Sequence, residues 1–283
     1  MMKLERLQGQ TGYIETTPAV IPVYQLSERE IVLFDSGAEP SEELLELLEQ
    51  KKLRVRAVVC THLHVDHIAN NDALVARHGT QIFAHSLEIP RFQAKQTVSY
   101  PITAIEDANV LDIDGVPIRL LFTPGHTEGH LACVTPDGVC CVGDAIMTQS
   151  VLERSKIPYM DDVDQSMISM ELIRQSVYPF YLVAHKGVIP RTELSALVDQ
   201  NIQKELDLYA LLRQQITKPT AIEQVATDFI RAAGVRSQKM LETDYVRHTA
   251  KVRIFALVNA GEFSMEDGLI VPKRFSGYAA SSC

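Results

Sequence analysis

The stretch Val55-Arg56-Ala57-Val58-Val59-Cys60-Thr61-His62-Leu63-His64-Val65-Asp66-His67 runs an apolar segment into three of the chain's nine histidines. The first six residues, small or β-branched around a single arginine, predict a buried strand. The residues after it cannot share a helical face, because His62 and His67 would stand about 140° apart on a helix. A strand end leading into a turn can instead aim alternate side chains inward. Imidazole and carboxylate are the ordinary N/O donors for borderline divalent metals, and no common structural role needs three imidazoles packed this closely. The stretch therefore predicts an α/β sheet with a metal site at the C-terminal end of one strand, where such sheets usually place their sites.

Strand and helix signals alternate on either side of it. Segments 20–26 and 31–34 predict strands joined by a polar turn, and Asp35-Ser36-Gly37 ends the second. Ser41 opens an amphipathic helix with Glu42 and Glu43 in its first turn and Lys51 and Lys52 at its end, as the helix dipole favours. A helix over 71–78 closes on Gly79, and 81–84 returns as a strand. Strands 110–113 and 117–122 flank Asp114-Gly115-Val116, and strands 131–135 and 139–142 flank the hairpin signal Pro136-Asp137-Gly138. Helix resumes over 165–176, before a strand at 181–184. From about 193 the chain reads as mostly helical. Helices near 221–233 and 243–260, followed by a hairpin over 261–271, predict a small winged-helix-like unit. Expected domains are 1–215 and 216–283.

Three further apolar runs end in a residue able to bind metal. Leu120-Leu121-Phe122-Thr123-Pro124-Gly125 leads to His126, Val139-Cys140-Cys141-Val142-Gly143 to Asp144, and Tyr181-Leu182-Val183-Ala184 to His185. Singly, a strand-end Asp is more often a turn residue and a lone His a surface or core group. Jointly they supply the ligand count for two metals.

Taken in order, VLFDSG at 32–37, THLHVDH at 61–67, TPGHTEGH at 123–130, VGDA at 142–145 and the late strand-end His185 resemble the metallo-β-lactamase fold hydrolases over roughly residues 15–190. That resemblance implies an αββα four-layer sandwich with the site at one edge of two packed sheets. It implies His62, His64 and His126 on one metal, Asp66, His67 and His185 on a second, and Asp144 bridging them. Asp35 would support a ligating histidine by hydrogen bonding. The chain departs from the family where Ala184-His185-Lys186-Gly187 replaces a histidine between glycines, and where Ala69 replaces a common glycine. His130 reads as a neighbour of the site, His85 as packing, and His78 as a cationic partner for a helix end. His248, with Arg247, Lys251 and Arg253, reads as a solvated basic face.

Two divalent ions, zinc by default with iron or manganese as alternatives, would share a hydroxide that attacks the substrate. Asp66 would orient it and carry a proton. The expected reaction is hydrolysis of an ester-like bond (thioester, lactone or related acyl compound) in a small molecule, as in glyoxalase II and the lactonases. Asp144 opposes a true zinc β-lactamase, which lacks that carboxylate. The alternative is a phosphodiesterase or endoribonuclease acting on RNA or a nucleotide, suggested by the winged-helix-like tail. Charge opposes it: residues 1–192 hold 16 basic against 25 acidic residues, and residues 193–283 hold 11 of each. Hydrophobic residues at 46% and charged residues at 22% suit a globular chain, and no apolar run is long enough to span a bilayer. The first residues lack the apolar core of a secretion signal, so a cytoplasmic protein is expected. The five cysteines show no C-x-x-C spacing and read as buried thiols. Nothing in the sequence decides for or against a homo-oligomer. The loops 86–108 and 147–164 are expected to wall the pocket, with Tyr100, Arg154 and Tyr159 as residues that could touch substrate.

Overall fold

Seven strands follow one another across the first sheet in chain order: β1 (Leu4–Gln8), β2 (Thr11–Glu15), β3 (Val20–Gln25), β4 (Glu30–Phe34), β5 (Arg54–Val59), β6 (Gln81–His85) and β7 (Ile102–Ile105). The first four pair antiparallel, while β4 to β7 pair parallel. Parallel neighbours need crossovers, and helices supply them: α1 (Glu42–Gln50), α2 (Asn71–His78) and α3 (Glu88–Gln93). The Ser41 hydroxyl caps α1 by accepting the Leu44 N–H at 3.2 Å. The computed structural model describes residues 2–16, 19–106, 109–185 and 187–273. They divide into two compact units, Met1–Arg154 with Asp164–Ile202, and Ser155–Val163 with Gln203–Cys283.

The second sheet of the first unit holds β8 (Val110–Ile113), β9 (Val116–Phe122), β10 (Leu131–Val134), β11 (Val139–Gly143), β12 (Phe180–Val183) and β13 (Gly187–Pro190), in the order β13-β12-β11-β10-β9-β8. Helices α4 (Gln149–Arg154) and α5 (Val163–Gln175) separate β11 from its parallel neighbour β12, and α6 (Arg191–Gln215) follows β13.

Side-chain alternation builds the layers. On β4, Ile31 and Leu33 join Leu44 and Leu48 of α1 in one core. Val32 and Phe34 point the other way and meet Leu120, Leu131, Cys141 and Leu182 of the second sheet. On β5 a register shift pairs Ile31 with Val55 but Val32 with Ala57, leaving Arg56 as the extra residue. Past that shift Val58 and Cys60 face the helices, and Ala57 and Val59 face the opposing sheet. Strands buried on both faces read as continuous apolar runs, which is why β5 and β11 stand out in the sequence. Cys140 and Val142, on the outer side of the second sheet, are buried, as are Met170, Ile173, Leu194 and Val198 of α5 and α6. The arrangement is the expected αββα sandwich. Cys60, Cys133, Cys140 and Cys141 are buried free thiols, while Cys283 lies outside the described residues.

The second unit contains α7 (Ile222–Ala232), α8 (Gln238–Leu241), α9 (Asp244–Asn259) and a small sheet of β14 (Thr220–Ala221), β15 (Phe263–Glu266) and β16 (Leu269–Pro272), ordered β14-β16-β15. Val225, Phe229 and Ile230 of α7 and Val246, Ala250, Ile254 and Leu257 of α9 are its buried apolar residues, with Phe263 and Ile270 from the hairpin. The 247–253 segment is not the solvated face expected from the sequence. Arg253 is wholly buried, with Nε and Nη2 on the two Glu205 oxygens at 2.9 and 2.7 Å, Nη1 on the Thr249 carbonyl at 2.9 Å and Nη2 on the Pro158 carbonyl at 3.0 Å. Arg247 and Lys251 both engage Glu223, and His248 Nε2 lies 2.7 Å from Asp161 Oδ1. Among the described residues no helix is long and apolar enough to cross a membrane.

Candidate metal centre

Asp35 leaves β4 in a left-handed conformation, φ 63°, with its carboxylate turned onto the loop after β5. Its Oδ1 accepts the Thr61 N–H at 2.7 Å; its Oδ2 accepts the Thr61 hydroxyl at 2.9 Å and lies 2.8 Å from His67 Nδ1. The single hydroxyl proton of Thr61 is thereby committed to the carboxylate. The His62 Nδ1, 3.0 Å from that hydroxyl, must then donate to it. Both His62 and His67 have Nδ1 committed as a donor, so in the neutral form each presents the Nε2 lone pair to the site.

His64 Nδ1 lies 2.9 Å from His62 Nε2 and 3.1 Å from His126 Nε2. Three ring nitrogens so close approach the spacing of about 3.4 Å that tetrahedral zinc with Zn–N near 2.0–2.1 Å imposes on its ligands. Burial, reinforced by the surrounding rings, holds His62 well below the ordinary imidazole range, in the neutral form that binds metal. His62, His64 and His126 form one group able to hold an ion.

Asp66, His67 and His185 form another, and His62, His67 and Asp144 a third. Asp144 Oδ2 lies 3.6 Å from His67 Nε2, 3.6 Å from His126 Nε2 and 3.4 Å from His185 Nε2. His185 Nε2 is in turn 3.6 Å from Asp66 Oδ2. These separations are long for hydrogen bonds and suit atoms that share a cation. His67 Nε2 is buried with no hydrogen-bond partner among the described residues. Such an orphan costs about 1–3 kcal/mol unless something satisfies it. Against its burial, the carboxylates of Asp144 and Asp35 raise His67 well above its usual value. Burial would raise Asp144, yet the charge of His67 and contacts with His185 and His67 hold it well below the carboxylate range. The pocket is short of positive charge, and divalent cations fit its donors.

His130 is satisfied on both sides. Its Nδ1 lies 2.9 Å from Thr123 Oγ1, and its Nε2 accepts the Asp144 N–H at 3.2 Å, so it aims Asp144 rather than joining the donor set. Gly143 makes that possible: at φ 51°, a Cβ here would lie 2.6 Å from Thr61 Oγ1 and 2.8 Å from His130 Nε2. His185 follows β12, where the Ala184 carbonyl accepts the Val20 N–H at 2.9 Å; Lys186 lies outside the described residues.

His78 is no helix-end cation, since its Nδ1 accepts the Val55 N–H at 3.2 Å and burial and nearby arginines lower its pKa. His85 stacks on Phe122 at 4.9 Å between ring centres. Tyr100 is buried beside Asn71, and Tyr159 is buried with its hydroxyl donated to Asp161 at 2.7 Å. Arg154, with Lys3, Glu15, Gly37 and Asn70, lines a cavity of about 1030 Å³ in the first unit. Sequence reasoning assigned no role to Thr61, which sets the His62 tautomer. A hydroxyl residue between a buried strand and the first histidine was the available signal.

The profile of the metallo-beta-lactamase superfamily matches residues 19–185. A hydroxyacylglutathione hydrolase of Methylobacillus flagellatus is 34% identical over 105 residues, 36% of this chain and 38% of that enzyme. The chain spans half or less of the length of the curated hydroxyacylglutathione hydrolases it matches. The probable polyketide biosynthesis zinc-dependent hydrolase PksB of Bacillus subtilis is 23% identical over 207 residues, 71% of this chain and 85% of that protein. A beta-lactamase domain protein from Burkholderia ambifaria shares the fold with a TM-score of 0.68 at 15% identity, covering 95% of this chain and 92% of that one. The family match takes in β3 to β12 and the strand ends that carry His62, His126, Asp144 and His185, and on that ground the chain belongs to the metallo-beta-lactamase superfamily.

Proposed function

We propose that this chain is a hydrolase that cleaves an ester-like bond in a small molecule, a thioester foremost, with two divalent ions, zinc by default. His62, His64 and His126 would hold one ion, Asp66, His67 and His185 the other, and Asp144 both. The observation that carries this reading is the position of Asp144 Oδ2, 3.4–3.6 Å from ring nitrogens of His67, His126 and His185. When bound, such a pair lowers the pKa of water toward neutrality and polarises an acyl oxygen.

The chain's own groups do the rest. Asp35 and Thr61 keep two imidazoles in the tautomer that binds metal. His130 fixes the backbone of Asp144. Asp66 is the exposed carboxylate of the set, its side chain 45% accessible. That exposure supports a role in which its carboxylate takes a proton from water and passes it to a departing thiol or alcohol. The relatives' names, hydroxyacylglutathione hydrolase and zinc-dependent hydrolase, support the acyl and zinc parts of the reading. The phosphodiesterase alternative is weakened by charge pairing, since Arg213, Arg247, Lys251 and Arg253 are each engaged by a carboxylate.

The test is metal analysis of mildly purified protein, joined to a metal-loaded screen of thioesters, lactones and bis-phosphodiesters. About two equivalents are expected, with acyl substrates turned over orders of magnitude faster than phosphodiesters. Metal-free protein that stays empty on loading, or a phosphodiester as best substrate, would overturn the proposal.

A further inference from the structure

Glu88 opens α3 and lies outside every sequence motif, yet it is buried. Its Oε2 accepts the Leu63 N–H at 3.1 Å and its Oε1 accepts the Gly129 N–H at 2.8 Å. Leu63 stands between His62 and His64. Gly129 stands in the turn that runs from His126 to His130. One carboxylate therefore clamps together the two loops whose imidazoles form the three-histidine group. An ionised carboxylate offers only acceptors, which matches two converging backbone donors. The approach is close by construction: a Cβ on Gly129 would come within 2.9 Å of Glu88 Cγ and 3.0 Å of Oε1.

We infer that Glu88 is a positioning residue for the ion on the His62, His64 and His126 side, an inference that rests on the two-ion reading above. Both of its oxygens are taken by backbone N–H groups, so it acts through the loops that carry the histidines. Its two bonds fix the gap between the His62–His64 loop and the His126 loop, and so the size of the three-nitrogen site. The Asp66, His67 and His185 group has no member in the His126 turn and meets that turn only through Asp144, whose backbone His130 holds.

Cobalt(II) titration of chelator-stripped, full-length protein tests this, read from the ligand-field absorption of bound cobalt, with thermal unfolding of the metal-free protein alongside. Glu88→Gln keeps the shape of the side chain but turns an amide NH2 toward one of the two N–H donors. One of the two binding steps is expected to weaken by about 10–100-fold with a changed cobalt spectrum. The other step, reached only through Asp144, is expected to change far less, and the metal-free unfolding midpoint to stay at the wild-type value. Gly129→Ala, which drives a methyl into the Glu88 side chain, is expected to give the same selective loss, and it carries the test should Glu88→Gln not fold. Wild-type titrations in both variants overturn the inference. So does a loss spread equally over both steps, or one confined to the unfolding midpoint. A wild-type protein that takes up no cobalt overturns the two-ion reading itself, a result distinct from any behaviour of the variants.

Discussion

Buried charge is handled in opposite ways in the two units. In the second, Arg253 is wholly enclosed and its donors meet both Glu205 oxygens and two carbonyls. In the first, His67 Nε2 is equally enclosed and has no hydrogen-bond partner among the described residues, while Asp144 sits among three ring nitrogens at 3.4–3.6 Å. A network that closes on itself has finished its work in folding. One left short of cations, in a protein interior where orphaned polar groups are rare, is prepared for something that arrives after folding. Burial alone does not separate the two cases; satisfaction does.

The sharpest way to break this contrast is to delete one carboxylate from each network. Asp144→Ala removes a desolvated charge that has no closed set of partners. Activity is expected to fall to background and metal content from two equivalents toward one or none, with the metal-free protein unfolding no earlier than wild type. Metal analysis and denaturant unfolding check this; normal turnover would show that Asp144 is not the shared ligand. Glu205→Ala should do the reverse. It strands a buried guanidinium, which costs about 3–5 kcal/mol, and leaves metal content at the wild-type value. A Glu205→Leu, Arg253→Met double variant should recover most of that loss, since well-packed apolar residues often replace a buried pair without penalty. If the single variant is as stable as wild type in urea, the Arg253 network does not hold the second unit together.

The same contrast explains what could be read from the sequence. β4, β5, β11 and β12 announce themselves because they are apolar on both faces; His62, Asp144 and His185 each follow one of them, and His126 follows the apolar end of β9. β1, Leu4-Glu5-Arg6-Leu7-Gln8, does not: it is an edge strand, half exposed and mixed in polarity. β7 hid in the loop read over 86–108, where only four residues pair with β6. Glu88 and Arg253 were illegible for another reason. The partners of Glu88 stand 25 and 41 residues away in sequence and the Glu205 partner of Arg253 stands 48 away, so their roles exist only in the folded chain. On α9 an arginine near His248 and Lys251 has every local sign of a solvated face. What distinguishes it is a carboxylate on another helix.

A smaller effect sharpens the comparison from the surface side. Glu223 binds Arg247 and Lys251 as Glu205 binds Arg253, but its side chain is 54% exposed. Hydrogen bonds from Lys251 and Arg247, against a small opposing effect of burial, hold its pKa below the ordinary carboxylate value. A depressed folded-state pKa adds stability that is present above the unfolded-state pKa and is lost as pH falls through the folded one. Glu223→Gln should therefore cost little at pH 7, under about 1 kcal/mol for an exposed pair. The difference from wild type should close as the medium is acidified below the unfolded carboxylate value, near 4.5. It should also shrink in salt at about 1 M, where screening reaches only about 3 Å. The cost of Glu205→Ala should persist in that salt, because a pair with no solvent access is screened much less. Urea unfolding of both variants at low and high salt decides the matter. Equal salt sensitivity at the two sites would mean that water reaches Arg253, and the distinction between a closed buried network and an exposed pair would fail.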